Sequence, residues 1–598
     1  MGGASKDGYH YVFTLRQWFW LAGLRRNQRI FHDKSVVEIL ADLLQPYASL
    51  GNPAVENRLT NSYPALEYTV QYRETDLTFA CRLIERFGIS YHFIHAAGGH
   101  CLVMTDSVDG HALIGARDYR AYDGHHQSET EHFWQWRHKR VVTTGAVQPT
   151  DWNFKTPSAA MEVDQGNGAA HAQGLIESFD YPGDYGDLDR GKTVVSLRAR
   201  QERGQDARIH AEGNIATLCS GLRVTMSGDQ IADATGVQFL CLSATHNYRA
   251  GGYHSGTQAD SQAYSAQYVL MPVTSPLAPR RKTPEPVVQG PQTAVVVGNG
   301  EIDCDKYGRI LVQFHWDLDN AFSMRCRVSQ NWAGKSWGGM VIPRIGIEVV
   351  VEFLEGDPDK PLVTGCVYNG ANAVPYDLPD HKTRSTFKTK THTRTGTGTG
   401  TGFNELRFED AKDNDEIYIH GQKDRNTKIE SNQSERVNVN KIGSVGHDKA
   451  SEIENNLLQV VDGNMDLRVG PGNKNTVTPT GARDRPEGLP TIPARLGKVG
   501  ENPGVGDLTI TVERNKTQTI GDNQDERVKG NKTTDLRKSY RFDVKQKIEI
   551  TAGGRITLNC GQSRIVMEAN GTISVNGKTI LLTADKLITL LADIVKIN

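Results

Sequence analysis

Counting in eights from Ile429 lands on Ile429, Val437, Val445, Ile453, Val461 and Val469; counting from Val512 lands on Val512, Ile520, Val528, Leu536 and Val544. Every stop is aliphatic, while the residues between are mostly Asn, Asp, Glu, Lys, Gln, Ser, Thr and Gly. An even step returns to the same face of an extended chain. In an α-helix each stop would be rotated by roughly 80° from the last, and the stripe would be lost around the cylinder. Gly446, Gly463, Gly521 and Gly530 come just after stops and permit sharp corners. Short strands joined by corners at a fixed repeat predict a β-helix or β-prism.

Energetics then limit how such a region folds. One buried aliphatic side chain contributes about 1.5–3 kcal/mol. Ordering eight residues costs roughly 8–16 kcal/mol in backbone entropy. A lone copy is therefore short of apolar surface, and several copies winding about a shared apolar axis supply what is missing. Three chains with one face each make a compact prism, so the eleven octad residues are expected to form the axial core of a homotrimer. A single-chain solenoid is the alternative, and it usually carries more apolar positions per repeat. The repeat breaks between Gly470 and Gly506, a Gly- and Pro-rich stretch expected to loop out of the prism. Beyond Ala552 the strict period fades, but alternation over 555–559, 563–568, 572–575 and 579–583 keeps the region β. The end, from Leu587 to Ile597, is apolar and invites a cap.

The preceding sequence reads as three further parts, giving a mainly β, multidomain chain. Residues 1–281 are α+β. Ser35-Val36-Val37-Glu38 is a capping box, and Val36, Ile39, Leu40, Leu43 and Leu44 follow at helical spacing until Pro46. A second helix is expected from Asp76, with Gly88 just past its end, then strands over 89–95 and 101–105 around Gly98-Gly99. A Pro-rich linker at 274–291 leads to short β segments at 294–297, 309–315, 324–328, 339–342, 348–353 and 362–368. These predict a small barrel of OB type within 282–372. A Thr/Gly-rich connector over 373–403 precedes the octad-bearing β-helix part, 404–598.

The order of motifs resembles the VgrG family, the valine-glycine repeat spikes of bacterial type VI secretion systems, itself similar to the hub and spike proteins of contractile phage tails. The motifs are Gly290-Pro291-Gln292-Thr293-Ala294-Val295-Val296-Val297-Gly298, Asp305-Lys306-Tyr307-Gly308-Arg309-Ile310, Phe314-His315-Trp316-Asp317, Pro343-Arg344-Ile345-Gly346 and Gly356-Asp357-Pro358-Asp359-Lys360-Pro361. Asn404-Glu405-Leu406-Arg407-Phe408-Glu409-Asp410 follows, and Phe179-Asp180-Tyr181-Pro182-Gly183 matches the tail-hub-like part. The resemblance implies a tail-hub-like domain, an OB-fold domain and a C-terminal intertwined triple-stranded β-helix. It also implies partners: a homotrimer, a tube-forming ring protein of Hcp type, a PAAR-type tip protein, a baseplate, and docked effectors with their adaptors. It implies assembly in the cytoplasm and release through the type VI apparatus into target cells or medium. Family members usually have a further strand-rich stretch before a position like Tyr9, so the hub is expected to be incomplete at its N-terminus. With Asn598 inside or just after the β-helix, no fused toxin domain is expected.

Composition and motifs point away from chemistry. The start, Met1-Gly2-Gly3-Ala4-Ser5-Lys6, has neither the apolar run of a signal peptide nor the myristoylation pattern. Eight scattered cysteines form no C-x-x-C pair and read as reduced. His125, His126, His132 and His138 cluster with Glu129 and Glu131, but the spacing matches no standard zinc pattern, and Trp134, Trp136 and Arg137 suggest packing. Asp303, Asp305, Asp317 and Asp319 flank turns, where Asp caps backbone amides; paired acids for glycoside hydrolysis are the less favoured reading. Between Pro291 and Gly370 lie seven Lys/Arg against ten Asp/Glu, a poor phosphate binder, so Trp316, Trp332 and Trp337 are expected to pack rather than stack on bases. No catalytic residue, cofactor, metal or nucleic-acid partner is expected. A spike-borne cell-wall hydrolase and an adhesin or receptor-binding fibre remain the alternatives.

Overall fold

The capping box forms as expected. The Ser35 backbone N–H donates to Glu38 Oε2 at 2.8 Å, and the Glu38 N–H donates to Ser35 Oγ at 3.3 Å. It opens helix α1, Val36–Leu44, whose five periodic apolar residues are all buried. Helix α2, Asp76–Arg86, is capped by the Thr75 hydroxyl and ends ahead of Gly88, whose φ of 70° suits glycine. The computed structural model describes residues 4–5, 8–9, 11–50, 53–121, 130–166, 176–228, 231, 233–248, 264–393, 402–445, 449–462, 510 and 515–597. They divide into two units, Met1–Arg436 and Val437–Asn598.

In the first unit, α1 and α2 share a core with Trp18, Phe19, Phe31, Ile89 and Leu102. Strands Ser90–Ala96 and Gly99–Thr105 form the expected hairpin, with the turn at 97–98 and Gly99 already paired to Ala96. Ala54–Arg58 adds in parallel on the other side of Gly99–Thr105. Next comes a closed barrel of six strands, in the order Ala207–Gly213, Tyr264–Pro272, Gln238–Tyr248, Arg223–Ser227, Leu113–Tyr119 and His132–Arg140. Helix α3, Leu188–Arg203, packs Val195 and Ala199 onto Val147, Met161 and Tyr185.

The stretch expected to be a linker has no strand, yet it is pinned to α2. Glu85 Oε2 accepts from the Lys282 and Thr283 backbone N–H groups at 2.7 and 2.8 Å. After it a five-stranded sheet runs in the order Leu311–Phe314, Gln292–Val297, Glu348–Phe353, Pro361–Val367 and Arg327–Val328. Its two edges meet at the Ile310–Cys326 bridge, whose two N–H···O bonds are 3.0 and 2.7 Å, so the sheet curls toward a barrel. The strand expected at 339–342 does not form. The Gln330 side chain instead takes both backbone groups of Val341, at 3.0 and 2.9 Å, and occupies the positions a partner strand would use. Strands Arg26–Lys34 and Leu66–Thr75, from the α+β part, contribute Ile30, Tyr68 and Val70 to the core of this sheet.

In the second unit, strands Arg555–Cys560, Ser563–Glu568 and Ile573–Asn576 form an antiparallel meander where alternation predicts β. The expected strand at 579–583 does not form, and Ile580, Leu581 and Leu582 are exposed. Among the described residues no strand lies between His420 and Arg555. The looped excursion at 470–506, and Val469 and Val512, lie outside the described residues.

Candidate functional site

Ahead of the octads sits a sheet built inside out. Strands Arg384–Lys388, Glu405–Glu409 and Glu416–His420 pair antiparallel with Glu405–Glu409 in the centre. In register, Phe387 lies across from Leu406 and Leu406 from Ile419, while Ser385 lies across from Phe408 and Phe408 from Ile417. Side chains alternate across a strand, so Phe387, Leu406, Phe408, Ile417 and Ile419 share one face, and all five are exposed. The opposite face is polar, with Glu405 and Arg407 at its centre buried. Glu405 accepts from Thr386 Oγ1 at 2.8 Å and from the Tyr376 hydroxyl. Arg407 pairs with Glu416 at 2.8 Å and lies over the Tyr376 and Tyr418 rings at 5.6 and 4.5 Å. A solitary domain buries the apolar face of a sheet and wets the other. A contiguous exposed apolar face marks an interaction surface.

The octad residues tell the same story with fewer side chains. Ile429, Val437, Val445, Ile453, Val461, Ile520, Val528, Leu536 and Val544 are 40–57% exposed. The other exposed large apolar residues of the stretch, such as Val439, Leu457, Leu458, Val460, Tyr540, Phe542, Ile548 and Ile550, are 60–85% exposed. The eight-residue period therefore selects the more sheltered set, yet none is buried. At the far end Leu587, Leu590, Leu591, Ile594 and Ile597 are exposed as well.

Two motifs more than 170 residues apart meet where the hub holds the five-stranded sheet. Asp184, next to Pro182-Gly183, lies 3.4 Å from Lys360 Nζ in the Gly356-Asp357-Pro358-Asp359-Lys360-Pro361 turn. It also lies 3.7 Å from Arg198 on α3 and 3.4 Å from Arg281 in the linker. Burial pushes the Asp184 carboxyl up, but Arg86, Lys360, Arg281 and Arg198 outweigh it and hold it down at about 2. Asp359 goes the other way: burial and then the Asp357 charge push it up to about 7. Its Oδ1 accepts from the Val70 N–H of the hub at 2.7 Å. No spacing rule links Asp184 to Lys360 in advance, and only the fold brings them together.

The other candidates fall into structural places. Asp303 accepts from the Asn299 N–H at 3.0 Å and pairs with Arg325 at 2.7 Å. Asp305 accepts from Tyr307 N–H and pairs with Arg309, and Asp317 caps Ala321 and Phe322 N–H. Asp319 is exposed in a turn. Trp316 stacks on Phe314 at 5.1 Å and donates to Gln292, while exposed Trp332 and Trp337 pack edge to face at 4.8 Å. His132 is buried with Nδ1 2.9 Å from Thr130 O; Glu131 binds Thr217 and Arg117; His138 accepts from Trp136 Nε1. His125, His126 and Glu129 lie outside the described residues, as does most of the Thr-Gly tract. Among the described residues no three His, Cys, Asp or Glu converge on a metal position, and no helix is long and apolar enough to cross a membrane.

Three family models match in order along the chain: the phage tail baseplate hub over 1–252, the type VI secretion system/phage-baseplate injector OB domain over 292–368, and the bacteriophage T4 gp5 C-terminal trimerisation domain over 385–485. The last takes in both the inside-out sheet and the first octad run. The chain is 37% identical over 480 residues to the type VI secretion system spike protein VgrG1a of Pseudomonas aeruginosa, covering 79% of this chain and 73% of that protein. It is 35% identical over 463 residues to VgrG1b of the same organism, covering 76% of this chain. It spans 60% of the length of VgrG1b, under two thirds. Among solved structures, the E. coli c3393 protein, a type VI secretion component, aligns at 19% identity with a TM-score of 0.40 over 58% of this chain and 76% of that one. On the identity and coverage shared with VgrG1a, together with the three models in order, this chain belongs to the VgrG family of type VI secretion system spike proteins.

Proposed function

We propose that this chain is one of three identical subunits of a type VI secretion spike, and that its work is mechanical. The supporting observation is the apolar surface left open in a single copy: the sheet face of Phe387, Leu406, Phe408, Ile417 and Ile419, followed in sequence by the octad residues. In this reading Ile429, Val437, Val445, Ile453, Val461, Val469, Val512, Ile520, Val528, Leu536 and Val544 line the threefold axis. Three copies bury one another's stripes and pair backbone groups that one copy leaves to water. The part over 1–281 would sit on the tube's terminal ring, an Hcp-type protein, within the baseplate. The 282–372 domain would couple it to the needle, and the exposed apolar end near Leu591 would receive a PAAR-type tip. Effectors would ride docked to the spike or its tip, and the assembly would leave the cell through the apparatus it arms.

Light scattering on the purified full chain tests the reading. The expected result is a trimer mass, with the part beyond Ile429 resistant to protease and detergent. A monodisperse monomer at micromolar concentration would sink it. Release of soluble fragments from peptidoglycan incubated with the protein would replace the mechanical role with a hydrolytic one.

A further inference from the structure

Both ring nitrogens of His92 and Nε2 of His111 are buried without a hydrogen-bond partner. Both side chains are almost wholly enclosed, and their rings lie 4.5 Å apart, tilted by 33°. They come from different layers. His92 is on strand Ser90–Ala96 of the three-stranded sheet. His111 follows the turn Val108–Gly110, through which the chain passes from that sheet into the six-stranded barrel. Its Nδ1 lies 2.9 Å from the carbonyl of Gly221, just ahead of barrel strand Arg223–Ser227. A carbonyl only accepts, so the proton of neutral His111 sits on Nδ1 and Nε2 is an unused acceptor. Gly221 has a φ of +86°, and a Cβ there would lie 2.4 Å from His92 Cβ, so the sheet's imidazole presses directly on the barrel's backbone.

Two guanidinium groups hold the same passage. Arg58 Nη1 donates to Gly110 O at 2.9 Å, and Arg223 Nε donates to His111 O at 2.8 Å. Their carboxylates are already engaged, Glu56 by Arg58 at 2.8 Å and Asp109 by Arg223 at 3.1 Å. Cys101, on the neighbouring strand, interacts with Glu56 and Arg58, and burial pushes its thiol up, so it brings no negative charge at neutral pH.

We propose that the stacked His92–His111 pair is an acid-sensitive joint between the sheet and the barrel of the hub, closed while both rings are neutral and opened when either is protonated. An imidazolium here would be enclosed against a second imidazole and beside two arginines, whose carboxylate partners Glu56 and Asp109 are already engaged. Burial, then His111 and Arg58, hold His92 down at about 4, and burial pushes His111 in the same direction. The sign follows. A freed imidazole titrates near 6.5, so the opened form takes up protons first as pH falls. Closure is complete above that value and weakens progressively down to about 4. The joint stays shut in a neutral cytoplasm and yields in an acidic compartment.

Histidine C2-hydrogen exchange followed by mass spectrometry on the full chain reads each ring directly. The His92 ring is expected to titrate at about 4 and the His111 ring below its ordinary range. A midpoint near 6.5 for both, in protein whose amides remain protected, overturns the proposal. Amide exchange, corrected for intrinsic pH dependence, is expected to lose about tenfold protection at residues 108–112 and 219–223 between pH 7 and 5. His92→Phe, which keeps a ring in the stack but cannot be protonated, is expected to retain that protection at pH 5. Loss at the same pH as the parent chain refutes the joint. If His92→Phe is unprotected even at pH 7, His111→Gln is read the same way, since its side-chain amide still donates to the Gly221 carbonyl. The ring titration in the parent chain decides the matter if neither variant folds.

Discussion

The five-stranded sheet and the octad region use the same residue, valine, to opposite ends. In the sheet, Ala294, Val296, Val312, Val349, Val351 and Val363 are all within 1% of fully buried, inside one chain. In the octad region no described stop is less than 40% exposed. Neither propensity nor side-chain size separates the two, because valine serves in both. Density does. Strands such as Gln292–Val297 and Glu348–Phe353 place a buried residue at alternate positions, so two short strands already enclose an apolar layer. One aliphatic residue in eight encloses nothing until other copies arrive. The inside-out sheet lies between these limits: five apolar residues dense enough to make a layer, but with the internal partner side given over to Glu405, Arg407 and Tyr376.

This contrast breaks most clearly at Val528. Val528→Asp is expected to abolish needle assembly, seen as loss of detergent-resistant trimer on gels and of trimer mass in solution, while the first unit keeps its fold. A mutant trimer of unchanged thermal stability would remove Val528 from the axis. Phe314→Ala, in the self-contained core, is expected to cost about 3–5 kcal/mol in urea unfolding of the first unit, independent of protein concentration. The transition of the octad region should instead move to higher temperature as concentration rises. Next in size is Asp184→Asn, which leaves Arg86, Arg198, Arg281 and Lys360 without their shared carboxylate. About 2 kcal/mol is expected to go at pH 7, by urea unfolding of the first unit. Because the folded carboxyl is held below its ordinary value, that stability is full above about pH 4 in the parent chain and is lost as pH falls toward 2. The variant should lack that acid dependence. Ser35→Ala is the smallest, about 1 kcal/mol from the lost cap of α1, and it should leave oligomeric mass untouched.

Legibility followed locality. Ser35 and Glu38 are three residues apart, and the box they form is readable because both partners lie in one turn. The strands over 348–353 and 563–568 were readable because alternation is local too. The strand expected at 339–342 failed because Gln330, eleven residues from Val341, supplies a side-chain amide where a partner strand was assumed. The apolar face of Phe387, Leu406, Phe408, Ile417 and Ile419 was missed although its signal was present. Leu406-Arg407-Phe408 and Ile417-Tyr418-Ile419 alternate as a half-buried strand should, but alternation does not say which face is covered.

The sequence alone determined the eight-residue period and the scarcity of apolar side chains within it, from which the expectation of further copies follows, because these come from counting along one chain. Tertiary structure alone decided that hub residues Ile30, Tyr68 and Val70 complete the core of the five-stranded sheet, that Asp184 meets Lys360, and that His92 stacks on His111. Those contacts join residues whose separation along the chain carries no information. They exist because burial drives whole faces together, and the polar groups caught between the faces then take whichever partners the packing leaves within reach.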